Sequence, residues 1–227
     1  GAVLHRIEAH ADDGAGWVMS LLLERAPDEL ATDSLLIATG SYDQTATLWT
    51  CAADAAGAPR SRGGGARGGG GWRKEHTLAH GAGVLALALG RSRRVLYSAA
   101  EDHSIRCWAV ATGACVCVLE RYCCPVHALG WHHASGCLAA GAEDGTVTLW
   151  AVGPIEAAHA DGILPGEGAE GDGARLARRV HSVVVRGQDD EIAEVLCMAP
   201  SADGTALLCG LDDGSLVLLG HGPSVSR

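Results

Sequence analysis

The stretch Leu96–Trp108, LYSAAEDHSIRCW, carries Ser98, Asp102 and His103, and His80 stands upstream. These are the residue types of a hydrolase triad, in which a histidine takes a proton from an exposed hydroxyl and a carboxylate orients the base. Such a site is built once per protein, so recurrence of the same residue types elsewhere argues for a folding device. A second candidate chemistry lies in Cys115, Cys117, Cys123, Cys124, His127, His132, His133 and Cys137. Structural zinc wants a close ligand pair plus a second pair at a distance. No such pair of pairs occurs here, so no metal site is expected. The glycine run Gly68–Gly71 is followed by Trp72-Arg73, not by Gly-Lys-Ser/Thr. It is therefore no phosphate loop, and no cofactor is expected.

The elements around these residues repeat. IATGSYDQTATLW (37–49), LYSAAEDHSIRCW (96–108), LAAGAEDGTVTLW (138–150) and LLCGLDDGSLVLL (207–219) align without gaps. Each has an acid six residues before its last position, namely Asp43, Asp102, Asp144 and Asp213, and the copies end in Trp49, Trp108, Trp150 and Leu219. The closing residues alternate polar and apolar, as in Thr146–Trp150, which is the period of a half-buried strand. A short apolar run with small residues precedes each acid. Asp144-Gly145, Asp213-Gly214, Asp102-His103 and Asp43-Gln44 lie between the two runs as turn signals, which predicts four hairpins. Further apolar runs flank them: Val84–Leu89, Val126–Trp131 and Val195–Met198 before, Cys115–Leu119 and Val180–Val185 after. The repeat is thus four short strands. In this frame Cys115 and Cys117 fall on an outer strand and Cys137 on a core position.

Asp102 to Asp144 spans 42 residues, within the ~40–45 of a four-stranded propeller blade. The other two intervals exceed it by 17 and 27 residues. The excesses are expected as flexible inserts over 52–75, rich in glycine and arginine, and over 153–175, rich in glycine and acids. The remaining length suits about four blades, near 10–79, 80–121, 122–186 and 187–220, in one repeat region over 1–227.

Composition narrows the function classes. The net charge of −10 argues against general nucleic-acid binding, because a phosphate backbone would be repelled. The exception is Arg60–Lys74, whose five positive charges and glycine runs are like RNA-contacting segments with one aromatic, Trp72. No apolar run reaches the ~18 residues of a membrane span. Nine cysteines, an odd number, with no signal-peptide pattern suggest a reducing cytoplasmic or nuclear location.

A Gly-His or Ala-His step, an apolar strand, small residues, Asp and then Trp resemble the WD40 repeat family. The resemblance implies an all-β propeller of about four blades, and blades of that number would form an open arc, part of a larger propeller. Val3 to Glu8 is then expected to be the outer strand of a neighbouring blade. The family also implies a hydrogen-bonded tetrad of His, Ser or Thr, Asp and Trp in each blade. The matching sets are His80, Ser98, Asp102 and Trp108, then His10, Thr39, Asp43 and Trp49. The third repeat keeps Asp144 and Trp150, with Tyr122 and Ala140 at the other places, and the fourth keeps Asp213 alone. The later blades are therefore expected to rely on apolar packing. Ser98 becomes structural under this reading, and no catalytic residue is expected.

The residues before each tetrad acid, Tyr42, Glu101, Glu143 and Asp212, occupy a position that often meets partners in WD40 propellers. Three are acidic, which favours basic peptides. The expected role is a non-catalytic scaffold for other proteins. The alternatives are a substrate receptor of a ubiquitin ligase, or an RNA-associated factor using Arg60–Lys74.

Overall fold

The computed structural model describes residues 6–10, 16–27, 30, 34–52, 71–119, 122–132, 135–160, 176–201, 203 and 205–220. Four antiparallel sheets follow one another along the chain. Sheet one holds β1 (Val18–Arg25), β2 (Ser34–Ser41), β3 (Thr45–Ala52) and β4 (Trp72–Ala79). Sheet two holds β5 (Val84–Leu89), β6 (Val95–Ala100), β7 (Ile105–Ala109) and β8 (Cys115–Val118). Sheet three holds β9 (Val126–His132), β10 (Cys137–Ala142), β11 (Thr146–Ala151) and β12 (Arg178–Val184). Sheet four holds β13 (Val195–Pro200), β14 (Ala206–Leu211) and β15 (Leu216–Gly220). Strands neighbouring in sequence neighbour in space throughout, so each sheet is a meander. The fold is an all-β, four-bladed propeller.

The hairpins form because the turn chemistry recurs. The residue after each repeat acid takes a left-handed backbone: Gln44 (φ 69), His103 (φ 64), Gly145 (φ 73) and Gly214 (φ 82). Glycine adopts this conformation without a Cβ clash, whereas Gln44 and His103 are held there against a steric cost. The acid offsets part of that cost. In each turn its Oδ1 accepts the N–H two residues on: Thr45 at 2.9 Å, Ser104 at 3.1 Å, Thr146 at 3.0 Å and Ser215 at 2.8 Å. Aspartate is thus required by local hydrogen bonding in all four blades.

The apolar core lies between the blades. One cluster fills the space between the first and second (Leu36, Leu48, Leu78, Val84, Leu96, Trp108). A second lies between the second and third (Tyr97, Ile105, Trp131, Leu138, Trp150). A third lies between the third and fourth (Val147, Val185, Val195, Cys209, Leu211). Small residues three before the acid let neighbouring blades close. A Cβ on Gly40 would come 2.8 Å from Val84 Cγ1, and one on Gly141 would come 2.5 Å from Val195 Cγ1. The small residues of the repeat therefore receive the first valine of the following blade.

Burial differs between the middle and the outer blades among the described residues. The inner strands β5 and β9 are almost wholly buried, whereas β1 and β13 are largely exposed. Leu21 and Leu23 on β1 are 69% and 58% exposed, and Leu216 and Leu218 on β15 are 68% and 67% exposed. Apolar residues of this size normally pack, so these exposed leucines of the first and last blades stand out from the buried strands of the middle blades.

Several expectations are amended. Residues 153–175 were expected to be loop, but the segment opens with a helix, α1 (Gly153–Ala160). Pro154 at its start has a fixed φ suited to a first helical turn, and Ile155 is fully buried. Residues 72–75 of the expected 52–75 insert belong to β4. The rest of these inserts, 53–70 and 161–175, and hence most of Arg60–Lys74, lie outside the described residues. So do 3–5 of the expected outer strand Val3–Glu8, and 6–8 form no strand. Strand β1 was not anticipated: its leucines at 21–23 run without the alternation that marks a half-buried strand. Among the described residues, no helix is long and apolar enough to cross a membrane.

Candidate functional site

The chemistry-bearing residues gather around the four hairpin turns. In the second blade, His80 Nε2 lies 2.7 Å from Ser98 Oγ, and Trp108 Nε1 donates to the same oxygen at 2.6 Å. The hydroxyl accepts from the indole and bridges it to the imidazole through His80 Nε2. His80 Nδ1 stands 4.0 Å from Asp102 Oδ2, too far for a hydrogen bond, and is a buried nitrogen without a partner. Asp102 is engaged elsewhere. Its Oδ1 accepts from the Ser104 hydroxyl at 2.5 Å, and its Oδ2 accepts from Gly81 N and Arg106 Nη2, both at 3.3 Å. The tetrad is thus three residues in close contact, with Asp102 held beside them by its own turn.

Electrostatics follow from this burial. Desolvation and the nearby Arg106 guanidinium, opposed by Asp102, bring the His80 pKa down to about 4. Burial pushes the Asp102 carboxyl up, but hydrogen bonds from Ser104, the charge of His80 and the Gly81 N–H outweigh it, leaving its pKa below the ordinary value. Ser98 is 0% exposed, and its oxygen is shared between Trp108 and His80. No substrate can reach that hydroxyl, so the triad-like composition supplies a buried network and not a nucleophile. His103 sits in the turn, apart from these contacts.

The first blade repeats the network with different closure. His10 Nδ1 lies 2.8 Å from Asp43 Oδ2, and His10 Nε2 lies 2.8 Å from Thr39 Oγ1. Thr45 adds a hydroxyl bond to Asp43 at 2.7 Å. Trp49 does not join: its buried Nε1 has no partner among the described residues, and Lys74 Nζ stands 5.8 Å from its ring centroid. In the third blade, Trp150 Nε1 donates to Tyr122 Oη at 2.7 Å. The tyrosine thereby replaces the missing serine as acceptor, and adds a hydrogen bond to the blade's apolar packing. Tyr122 was visible in the sequence at the histidine position, but its reach across to the tryptophan was not. In the fourth blade, Asp213 accepts from Ser215 Oγ at 2.6 Å and Gln188 N at 2.8 Å, so the turn is closed although no histidine or tryptophan is present.

Cys123 and Cys124 directly follow Tyr122, the residue at the histidine position, and lie beside Asp144. Cys123 Sγ donates to Asp144 Oδ2 at 3.5 Å. Burial pushes the Cys124 thiol up to about 11, and the Asp144 charge adds to the rise. Asp144 itself stays below its ordinary value, because Thr146 and the two thiols outweigh its desolvation. The cysteines Cys115, Cys117 and Cys137 lie on β8 and β10, outside this group. All nine cysteines are thiols, none in a disulfide.

The turns share one end of the blades. The linker entering each following blade bonds to the preceding turn: His80 N to Gln44 O at 2.8 Å, Tyr122 N to His103 O at 2.9 Å and Val185 N to Gly145 O at 2.8 Å. Tyr42, Glu101, Glu143 and Asp212 stand on this end. The Tyr42 hydroxyl donates to Glu101 across the boundary of the first two blades, and the carboxylate raises the phenol above its usual pKa. Trp17, 68% exposed, meets Tyr42 edge-on at 6.0 Å. Beside it, a cleft of about 830 Å³ is lined by Glu8, His10, Trp17, Asp43, Thr45 and Lys74, among others. Asp212 accepts Glu194 N at 2.9 Å, and Glu143 is exposed.

Comparison with known proteins agrees with this architecture. Residues 72–109 and 113–151 match the WD40 family model, described as WD domain, G-beta repeat. The first match begins on the outer strand β4 and the second just before the outer strand β8, and each ends with the third strand of the next blade, β7 or β11. One sequence repeat therefore spans two blades and ties them together. No curated protein matches the chain. Among solved structures, the computationally designed Ika4 protein is similar with a TM-score of 0.56 at 18% identity, covering 98% of this chain and 99% of that one. The computationally designed Ika8 protein gives 0.52 at 18% identity, covering 89% of this chain but 45% of the other. At such identities the likeness concerns the fold alone. The chain is thus a four-bladed β-propeller in which residues 72–109 and 113–151 match WD40 repeats.

Proposed function

We propose that this propeller is a protein-interaction platform whose turn-bearing end binds basic segments of other proteins. WD40 propellers generally mediate protein–protein interactions. The observation that carries the reading is the joined pair Tyr42 and Glu101, set across a blade boundary beside the exposed Trp17. Aromatic anchors with acidic neighbours supply contact area and long-range attraction for Lys and Arg side chains. Glu143 and Asp212 extend the acidic character along the same end, in keeping with the net charge of −10.

The mechanism is rigid display. The networks around Ser98, Thr39 and Tyr122 hold the turns in place, and the rim side chains meet the partner without rearrangement of the blades. The test uses a lysine-rich decapeptide titrated calorimetrically into the wild type and into the Glu101→Lys/Glu143→Lys variant. Binding is expected to weaken at least about tenfold at low salt, and less at high salt, where rim charges are screened. Unchanged affinity in a variant with a native unfolding curve refutes the assignment of this rim.

A further inference from the structure

The two adjacent thiols of the third blade follow Tyr122 and stand beside the turn acid Asp144. We propose that Cys123, Cys124 and Asp144 form a binding site for a thiophilic divalent cation of the zinc type. The three candidate ligand atoms, two Sγ and one carboxylate oxygen, all lie within 4.8 Å of one another. Tetrahedral zinc, with Zn–S near 2.3 Å and Zn–O near 2.0–2.2 Å, needs ligand atoms roughly 3.3–3.8 Å apart. The Cys123 Sγ to Asp144 Oδ2 distance of 3.5 Å already falls in that range.

The surrounding structure holds the ligands in place. Asp144 Oδ1 is occupied by Thr146 N at 3.0 Å, which leaves Oδ2 facing the thiols. Tyr122, next to the pair, is fixed through its N–H to His103 O at 2.9 Å and through its hydroxyl to Trp150 at 2.7 Å. On the other side, Pro125 O accepts Glu143 N at 3.1 Å, which binds the thiol segment to the turn that carries Asp144. These bonds limit the motion needed for coordination. Two thiolates and a carboxylate carry three negative charges, enough to neutralise a divalent ion. Cys123 is exposed, so the fourth position opens to water or to a group from a bound partner. The ion would link the 122–124 segment to the third hairpin, the connection that His10 makes to Asp43 in the first blade. Sequence spacing hides the site, because Asp144 stands 20 residues from Cys124 and belongs to another strand connection.

The test titrates Co²⁺ into the reduced full chain and follows thiolate-to-cobalt charge-transfer absorption, then adds Zn²⁺ to displace it. One equivalent of Co²⁺ is expected to give the band, with Zn²⁺ abolishing it. Cys123→Ser and Cys124→Ser should each lose the band, and Asp144→Asn should weaken binding at least about tenfold. Cys197→Ser, an exposed cysteine of the fourth blade, should behave as wild type. Since Cys123 is exposed, its substitution leaves the fold testable, and a native melting curve for that variant secures the comparison. Absence of the band in the wild type overturns the proposal, as does a band that survives in Cys123→Ser or disappears in Cys197→Ser.

Discussion

Mild acid should destabilise this propeller through one histidine. His80 is neutral in the folded protein, with a pKa lowered to about 4 by burial and Arg106, against 6.5 for an ordinary histidine. The unfolded chain therefore binds the proton more readily. Stability is complete above pH 6.5 and falls as pH drops through the window from 6.5 to about 4. At 1.36 kcal/mol per pKa unit the full loss is about 3 kcal/mol, of which about 2 kcal/mol is already gone at pH 5. The lowered carboxyls Asp43, Asp102, Asp144 and Asp213 have an ordinary value of 3.8, so they remain charged in both states through most of this range. Between pH 7 and pH 5 the melting temperature should fall by roughly 4–8 °C on account of His80. His80→Gln cannot titrate, so its pH dependence should be shallower than that of wild type by this amount. Thermal melts of both proteins at pH 7, 6 and 5 supply the comparison. Parallel pH profiles for wild type and His80→Gln would refute the assignment of a buried neutral histidine.

Two further outcomes follow from named contacts between blades. Glu156 accepts bonds from Ser92 N at 2.9 Å, Ser92 Oγ at 2.5 Å and Tyr97 Oη at 2.9 Å, so α1 of the third blade clamps the second. Glu156→Gln should cost about 1–3 kcal/mol in urea unfolding, because a buried phenol or serine loses its acceptor. Gly141→Ala places a Cβ 2.5 Å from Val195 Cγ1 and should cost about 1–3 kcal/mol by forcing the third and fourth blades apart. Hydrogen exchange should show that loosening in β13–β15 while β5–β8 stay protected, and uniform loosening of all blades would contradict it.

The repeat, the hairpins and the propeller class were legible in the sequence because their causes are local. An aspartate followed by a residue that tolerates positive φ makes its turn wherever it stands, and alternation sorts faces within a few residues. The small residue at Gly40 and Gly141 was equally visible as composition. Its purpose, receiving Val84 and Val195 of the next blade, depends on contacts across sheets. The candidate site was less legible for the same reason. The composition of LYSAAEDHSIRCW suggested a nucleophile, yet burial and the Trp108 indole decide that Ser98 cannot act as one. Trp49 and Trp150 hold the same place in the repeat, but the first finds no partner for its N–H among the described residues while the second finds Tyr122. Helix α1 and the pairing of Cys123 and Cys124 with Asp144 were not visible either.

Local periodicity and turn chemistry thus determine that this chain makes four-stranded blades in a fixed register. Tertiary packing decides what each polar residue becomes, since a side chain's partners and its distance from water are set by segments far away in sequence. Packing also decides that, among the described residues, three apolar clusters join the four blades while leucines of the first and last blades stay exposed.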